Sequence, residues 1–117
     1  MSLFVDTSAL YALLDRNDEH HEAASGRWDL LLEDQEPLVS TNYISLEAAA
    51  LAQRRLGLRA VRALLEKLIP ALEVHWVSAE EHRFAVAALL VTNRRGLSLV
   101  DCTSFEIMRR LGLRRAF

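Results

Sequence analysis

The 117-residue chain has one cysteine, two prolines, four glycines and one lysine, and each shortage removes a class of protein. A single cysteine, Cys102, excludes an internal disulfide framework and any multi-cysteine zinc site. Glycines at 26, 57, 96 and 112 are too dispersed to make a glycine-rich phosphate loop. With only Pro37 and Pro70, no repeats and no low-complexity tract, nothing reads as a linker, and the length is that of one domain. No apolar run nears the roughly 20 residues that cross a bilayer, so no membrane association is expected. The opening MSLFVDTSAL has neither a basic start nor a small-residue cleavage site. A reducing, cytoplasmic setting is the expectation.

What is present is ordinary in amount and uneven in placement. Half the residues are apolar and a quarter charged, as in a globular domain. The net charge of −2 hides a division. Residues 1–50 carry ten Asp/Glu against Arg16 and Arg27, whereas residues 51–117 carry six acids against twelve Lys/Arg. That asymmetry suits either a nucleic-acid face in the basic half or solvated helix faces that differ in sign.

Hydrophobic periodicity predicts strands alternating with helices. Leu3-Phe4-Val5 is a short apolar run that stops at Asp6, and Thr7 or Ser8 can cap the helix carrying Leu10, Leu13 and Leu14. Asp18 is expected to open a second helix, with Ala23, Ala24, Trp28, Leu31 and Leu32 at helical spacing. Residues 37–40 read as a strand, and a helix capped by Thr41 or Asn42 runs to Leu56, with Gly57 as its C′ residue. A helix over about 58–68 should end before Pro70. Leu72, Val74 and Trp76 alternate with Glu73 and His75, the period of a half-buried strand. Ser78 with Glu81, and Ser98 with Asp101, have the form of capping boxes opening two further helices. Arg114 to Phe117 can open one more strand. Strands separated by helices predict a three-layer α/β/α sandwich with a mainly parallel central sheet. Ligands of such sheets bind beyond the carboxyl ends of the strands, where Asp6 sits.

Three carboxylates invite chemistry, and each also has a plain role. Asp6 can simply cap the helix that follows it. Glu47, among Leu46, Ala48, Ala49, Ala50 and Leu51, must face solvent or find a cation or donor, since burying it unpaired is costly. Asp101 can simply complete the cap begun by Ser98. Together, oxygen ligands at the mouth of a sheet suit a hard cation, Mg²⁺ or Mn²⁺.

The run Phe4-Val5-Asp6-Thr7-Ser8-Ala9-Leu10, followed by Asp18-Glu19-His20-His21-Glu22-Ala23-Ala24, resembles the opening of a PIN domain of the VapC toxin type. Residues 41–47 (Thr41 to Glu47) resemble the segment bringing that family's second acid, and residues 97–105 (Leu97 to Phe105) the segment bringing its third. The likeness covers essentially the whole chain in the right order. It implies a metal-dependent endoribonuclease in which water attacks phosphorus, the toxin of a toxin–antitoxin pair. Asp6, Glu47 and Asp101 would then be catalytic metal ligands for Mg²⁺ or Mn²⁺, with Ser8 and Thr103 orienting ligands or waters behind them. It further implies an RNA substrate, a cognate antitoxin and a homodimer. The family usually carries a fourth acid just past a segment like Arg115-Ala116-Phe117, so the expectation is a single PIN-like domain over 1–117 lacking its C-terminal end. The alternative is a catalytically weakened PIN fold that binds RNA or protein.

Other residues are weighed against plain roles. His20 and His21 point about 100° apart on a helix and cannot flank one phosphate, so surface placement is expected, with His21 supporting local packing. Cys102 is expected to be a small buried apolar group. Arg54, Arg55, Arg59 and Arg62, then Arg94, Arg95, Arg109 and Arg110, can line a path for RNA or serve as solvated faces. Leu51, Leu56, Leu58, Val61, Leu64, Leu65 and Leu68 exceed what one helix pair needs for its core, leaving surface for a partner. Two other phosphate chemistries fail. A haloacid-dehalogenase-like phosphatase needs a second Asp two residues after the first, where this chain has Ser8, and a receiver domain needs a late lysine, whereas Lys67 is the only one.

Overall fold

A computed structural model describes residues 2–117. Short apolar runs form three parallel strands, β1 (Leu3–Phe4), β2 (Leu38–Thr41) and β3 (Glu73–His75), hydrogen-bonded in that order. Leu3 pairs with Leu38, Phe4 with Val39, and Thr41 with His75. On its other side Phe4 bridges in parallel to Ala116, accepting from the Phe117 N–H at 2.6 Å and donating to the Arg115 carbonyl at 2.9 Å. The strand expected at 114–117 is therefore present as its first pairing.

Every residue of β1 and β2 is buried, as required of strands covered by helices on both faces. Those helices are α1 (Thr7–Leu14), α2 (His21–Glu33), α3 (Asn42–Arg55), α4 (Leu58–Ala63), α5 (Ala79–Thr92) and α6 (Leu99–Leu111). α1 packs on α2 and α3, and α5 chiefly on α6. Leu3, Phe4, Val5, Leu10, Ile44, Leu64 and Ile107 are almost wholly inaccessible and join β1 to helices distant in sequence. The Ser40 hydroxyl, buried beside them, donates to the Val5 carbonyl at 2.8 Å, so a polar group inside the sheet is satisfied.

Several boundaries differ from the sequence reading, each for a local reason. Asp6, not Thr7 or Ser8, caps α1, because its carboxylate reaches the Ala9 N–H while Thr7 is already helical. α2 starts at His21 rather than near Asp18, whose carboxylate accepts from the His20 N–H and holds a turn instead. The helix expected over 58–68 is regular only to Ala63. From Leu64 to Leu68 it widens into a turn closed by the Ile69 N–H on the Leu64 carbonyl, then tightens through Ile69–Ala71. Pro70 has no N–H to donate and would press its ring on the carbonyl four residues back, and the change of pitch avoids both problems. Trp76, expected to face inward with Leu72 and Val74, lies just past the end of β3 and is 75% exposed.

The other caps fall where the spacing placed them. Thr41 caps α3, both capping boxes are complete, and Gly57 (φ +95°) and Gly112 (φ +69°) occupy the left-handed positions past α3 and α6. His21 ties α2 to α1 by donating through Nδ1 to the Ala12 carbonyl at 2.7 Å, the packing role expected of it.

Candidate active site

The path of the chain decides where a ligand can sit. From β1 it crosses to β2 and on to β3, and then returns to the opposite side of β1 at Ala116. A crevice opens where successive connections diverge in this way, at the carboxyl end of β1. Phe4, Asp6 and Ala116 line a cleft of about 390 Å³ at that place, together with Thr7, Ser8, Ile44, Glu47, Leu51, Asp101, Ser104, Phe105 and Met108.

Three separate elements bring the carboxylates to this cleft. Asp6 ends the first strand segment, Glu47 lies in α3 and Asp101 in the first turn of α6. Each spends one oxygen locally. Asp6 Oδ1 accepts from the Ser8 hydroxyl at 2.7 Å and the Ala9 N–H at 3.3 Å. Glu47 Oε1 accepts from the Thr7 hydroxyl at 2.5 Å, and Asp101 Oδ2 from the Ser98 N–H at 3.0 Å. No hydrogen bond among the described residues falls on the second oxygen of any of the three. In these rotamers the carboxylates share the cleft without closing up, and among the described residues no three His, Cys, Asp or Glu side chains form a group able to hold a metal ion. Local donors satisfy each acid separately, and mutual repulsion gives them no reason to approach.

A strand followed by Asp-Thr-Ser, with acids from the third and last helices lining the same cleft at a switch point, is a pattern with known counterparts. A PIN-domain family model matches residues 3–116. The chain belongs to the PIN-domain family. It is similar to the 23S rRNA-specific endonuclease VapC20 of Mycobacterium tuberculosis, strains CDC 1551 / Oshkosh and H37Rv. The identity is 35% over 117 residues, covering 98% of this chain and 86% of the relative. A crystal structure of Mycobacterium tuberculosis VapC20, described as a sarcin-ricin loop cleaving toxin, superposes with a TM-score of 0.83 at 32% identity. That match covers 97% of this chain and 86% of the other.

In this PIN domain the supporting residues are partly those the sequence suggested. Ser8, expected behind the acids, donates its hydroxyl to Asp6. Thr103 does not reach the cleft. It is fully buried, and its hydroxyl donates to the Leu99 carbonyl at 2.8 Å, one turn back in α6. The neighbouring Ser104 faces the cleft instead, buried to 7% exposure, with no partner for its Oγ. Thr7, read as a possible cap, is the residue that holds Glu47 across 40 positions. The sequence offered Thr7 as a cap and as part of Asp-Thr-Ser, and no signal there pairs it with an acid so far away.

The arginines divide into free and engaged. Arg55, over the Tyr11 ring at 5.6 Å, and Arg27, over Phe117 at 5.3 Å, line a second cleft of about 480 Å³. It shares Ser8 and Leu51 with the acidic one. Arg54 is exposed on α3, and Arg94 and Arg95 are exposed in the α5–α6 connection. Arg109 and Arg110, expected on an RNA path, both bond to Glu106, and Arg110 also lies over Phe84 at 5.1 Å. Those bonds hold the Glu106 carboxyl down at about 2. Cys102 is buried, and burial, then the charge of Asp101, pushes its thiol up, which makes it a packing residue and a poor nucleophile.

Proposed function

We propose that this PIN domain is a metal-dependent endoribonuclease that hydrolyses RNA phosphodiester bonds and acts as the toxin of a toxin–antitoxin pair. The observation that carries the reading is the meeting of Asp6, Glu47 and Asp101, from three distant segments, on one cleft at the switch point of the sheet. The donor set fits a hard divalent cation, being all oxygen, with one carboxylate oxygen on each residue left over from local bonding. Asp6, Glu47 and Asp101 would hold Mg²⁺ or Mn²⁺, which when bound neutralises phosphodiester charge and acidifies water. The chain's own hydroxyls set the stage. Ser8 holds Asp6, and Thr7 holds Glu47, each restraining the carboxylate through one oxygen and leaving the other without a hydrogen bond. Arg55 and Arg27 supply positive charge in the adjoining cleft for flanking phosphates, and Arg94 and Arg95, exposed between α5 and α6, are further candidates for the RNA backbone.

The relative's 23S rRNA substrate is the first RNA to try, and such a substrate belongs to the cytoplasm. No helix among the described residues is long and apolar enough to cross a membrane. An antitoxin and a second copy of the chain are the proposed protein partners. Exposed Leu46, Leu58, Leu65 and Trp76 leave apolar surface on and around α3 and α4 for them.

Purified protein with Mg²⁺ or Mn²⁺ should cut 23S rRNA at one or few positions, be stopped by EDTA, and lose activity in Asp6→Asn. The spacing of the carboxylates favours one rival, a PIN fold that binds RNA without cutting it. Intact RNA after incubation of folded protein with either metal, across ribosomal, transfer and messenger RNAs, decides for the rival.

A further inference from the structure

Two helices of this chain open with the same device, and their acids are then put to different use. At the start of α5 the Ser78 hydroxyl accepts from the Glu81 N–H at 3.1 Å, and Glu81 Oε1 accepts from the Ser78 N–H at 2.8 Å. At the start of α6 the Ser98 hydroxyl accepts from the Asp101 N–H at 3.0 Å, and Asp101 Oδ2 accepts from the Ser98 N–H at 3.0 Å. There the likeness ends. Glu81 is buried, and both of its oxygens lie within hydrogen-bond distance of His75 Nε2, at 3.0 and 3.2 Å. Asp101 is exposed and lines the acidic cleft.

The residue types differ in the same sense. A capping box ordinarily takes Glu or Gln at its third helical position, where the longer side chain reaches back with ease. Asp has fewer rotatable bonds, so a single hydrogen bond restrains its carboxylate more fully. Asp101 also depends on that bond more than the other two acids depend on theirs. Asp6 accepts from both Ser8 and Ala9, and Glu47 is half-buried and held by Thr7. For exposed Asp101, the Ser98 N–H is the one hydrogen-bond donor to the carboxylate among the described residues.

We infer that Ser98 is a positioning residue for the metal centre: its reciprocal bonds with Asp101 restrain that carboxylate before a cation arrives. The inference rests on the metal-dependent reading and adds a residue to it. An exposed carboxylate that is free to turn loses that freedom when it takes up an ion, and the loss weakens binding. A carboxylate already held loses less.

Mn²⁺ affinity, read by electron paramagnetic resonance on the full-length protein without RNA, tests this with the α5 box as the matched control. Ser98→Ala should weaken Mn²⁺ binding about fivefold, short of the roughly tenfold or more usual for a lost partner of a ligand, because the Ser98 N–H stays. Ser98→Thr keeps the hydroxyl and should bind as wild type does. Ser78→Ala should lose a similar amount of stability in urea yet retain wild-type Mn²⁺ affinity. Ser98→Gly removes the same hydroxyl at little cost to the cap, so it should match Ser98→Ala in Mn²⁺ affinity while unfolding close to wild type. On an Asp101→Ala background, Ser98→Ala should weaken Mn²⁺ binding no further, since no carboxylate remains to be held. Wild-type affinity in both Ser98→Ala and Ser98→Gly, an equal loss in Ser78→Ala, or an added loss on the Asp101→Ala background overturns the inference. If Asp101→Ala itself leaves Mn²⁺ affinity unchanged, the metal reading fails and the inference with it. If Asp101→Ala weakens binding while the Ser98 variants do not, the inference fails alone.

Discussion

Asp6 has two tasks, and they separate by substitution. As the cap of α1 it needs an oxygen aimed at the Ala9 N–H, which an asparagine supplies equally well. As a proposed metal ligand it needs its charge, which an asparagine lacks. Asp6→Asn is therefore expected to change stability by no more than about 0.5 kcal/mol while cutting RNA cleavage at least about a hundredfold. Urea unfolding and a single-turnover cleavage assay read the two effects independently. Glu106 makes a second prediction at this scale. Its carboxyl is held down to about 2, first by Arg109 and then by Arg110. A carboxylate with a lowered folded-state pKa stabilises the fold above its unfolded value, roughly 4.3, and loses that contribution as pH falls toward 2. Stability should thus decline between about pH 5 and 2, and Glu106→Gln should flatten that decline while weakening the protein at neutral pH. Unfolding midpoints across this range check it. Glu81 works in the same direction. Burial raises its carboxyl, but the Ser78 N–H and the His75 ring, 3.0 Å from Oε1, together bring it below its ordinary value.

Elements were legible wherever a local signal sets their limits. Ser78 with Glu81, and Ser98 with Asp101, each close a reciprocal pair of bonds at a helix start, and spacing alone reveals both. Gly57 was legible because the end of α3 demands a left-handed residue that other side chains resist. The wide turn at Leu64–Leu68 was not, since Pro70 signals a break but not how the chain arranges itself before it. Trp76 was misread because alternation cannot tell where a strand stops, and β3 ends one residue earlier, at His75. Two substitutions test the caps. Ser78→Ala should cost about 1 kcal/mol, and Gly57→Ala a comparable amount, because its φ of +95° strains any residue with a Cβ. Both are measurable by thermal unfolding and should leave the acidic cleft intact.

Over the whole molecule, the sequence displayed the parts of the site but not their meeting. Asp6 was readable from its place after a strand, whereas Glu47 and Asp101 each had an adequate local explanation. Resemblance to a family, rather than spacing, joined the three. That Ser104 rather than Thr103 faces the cleft depends on the rotation of α6, which the rows of apolar residues define only loosely. The basic half resolves similarly. Arg55 stands beside the cleft, while Arg109 and Arg110 are committed to Glu106, so fewer arginines are available for the proposed RNA path than the sequence offers. RNA binding should accordingly weaken with salt, and Arg55→Ala should lower the slope of log affinity against log salt by about one phosphate contact, close to 0.7 for a single strand. Arg109→Ala should leave that slope unchanged. Filter binding over a salt series distinguishes them.

The most direct test of the proposed shared ion is Mn²⁺ binding followed by electron paramagnetic resonance, in wild-type protein and in Asp6→Asn, Glu47→Gln and Asp101→Asn. Each substitution alone is expected to weaken Mn²⁺ affinity at least about tenfold, since each removes a charged ligand from one centre. Wild-type affinity in any one of the three would show that its carboxylate does not belong to a common metal site.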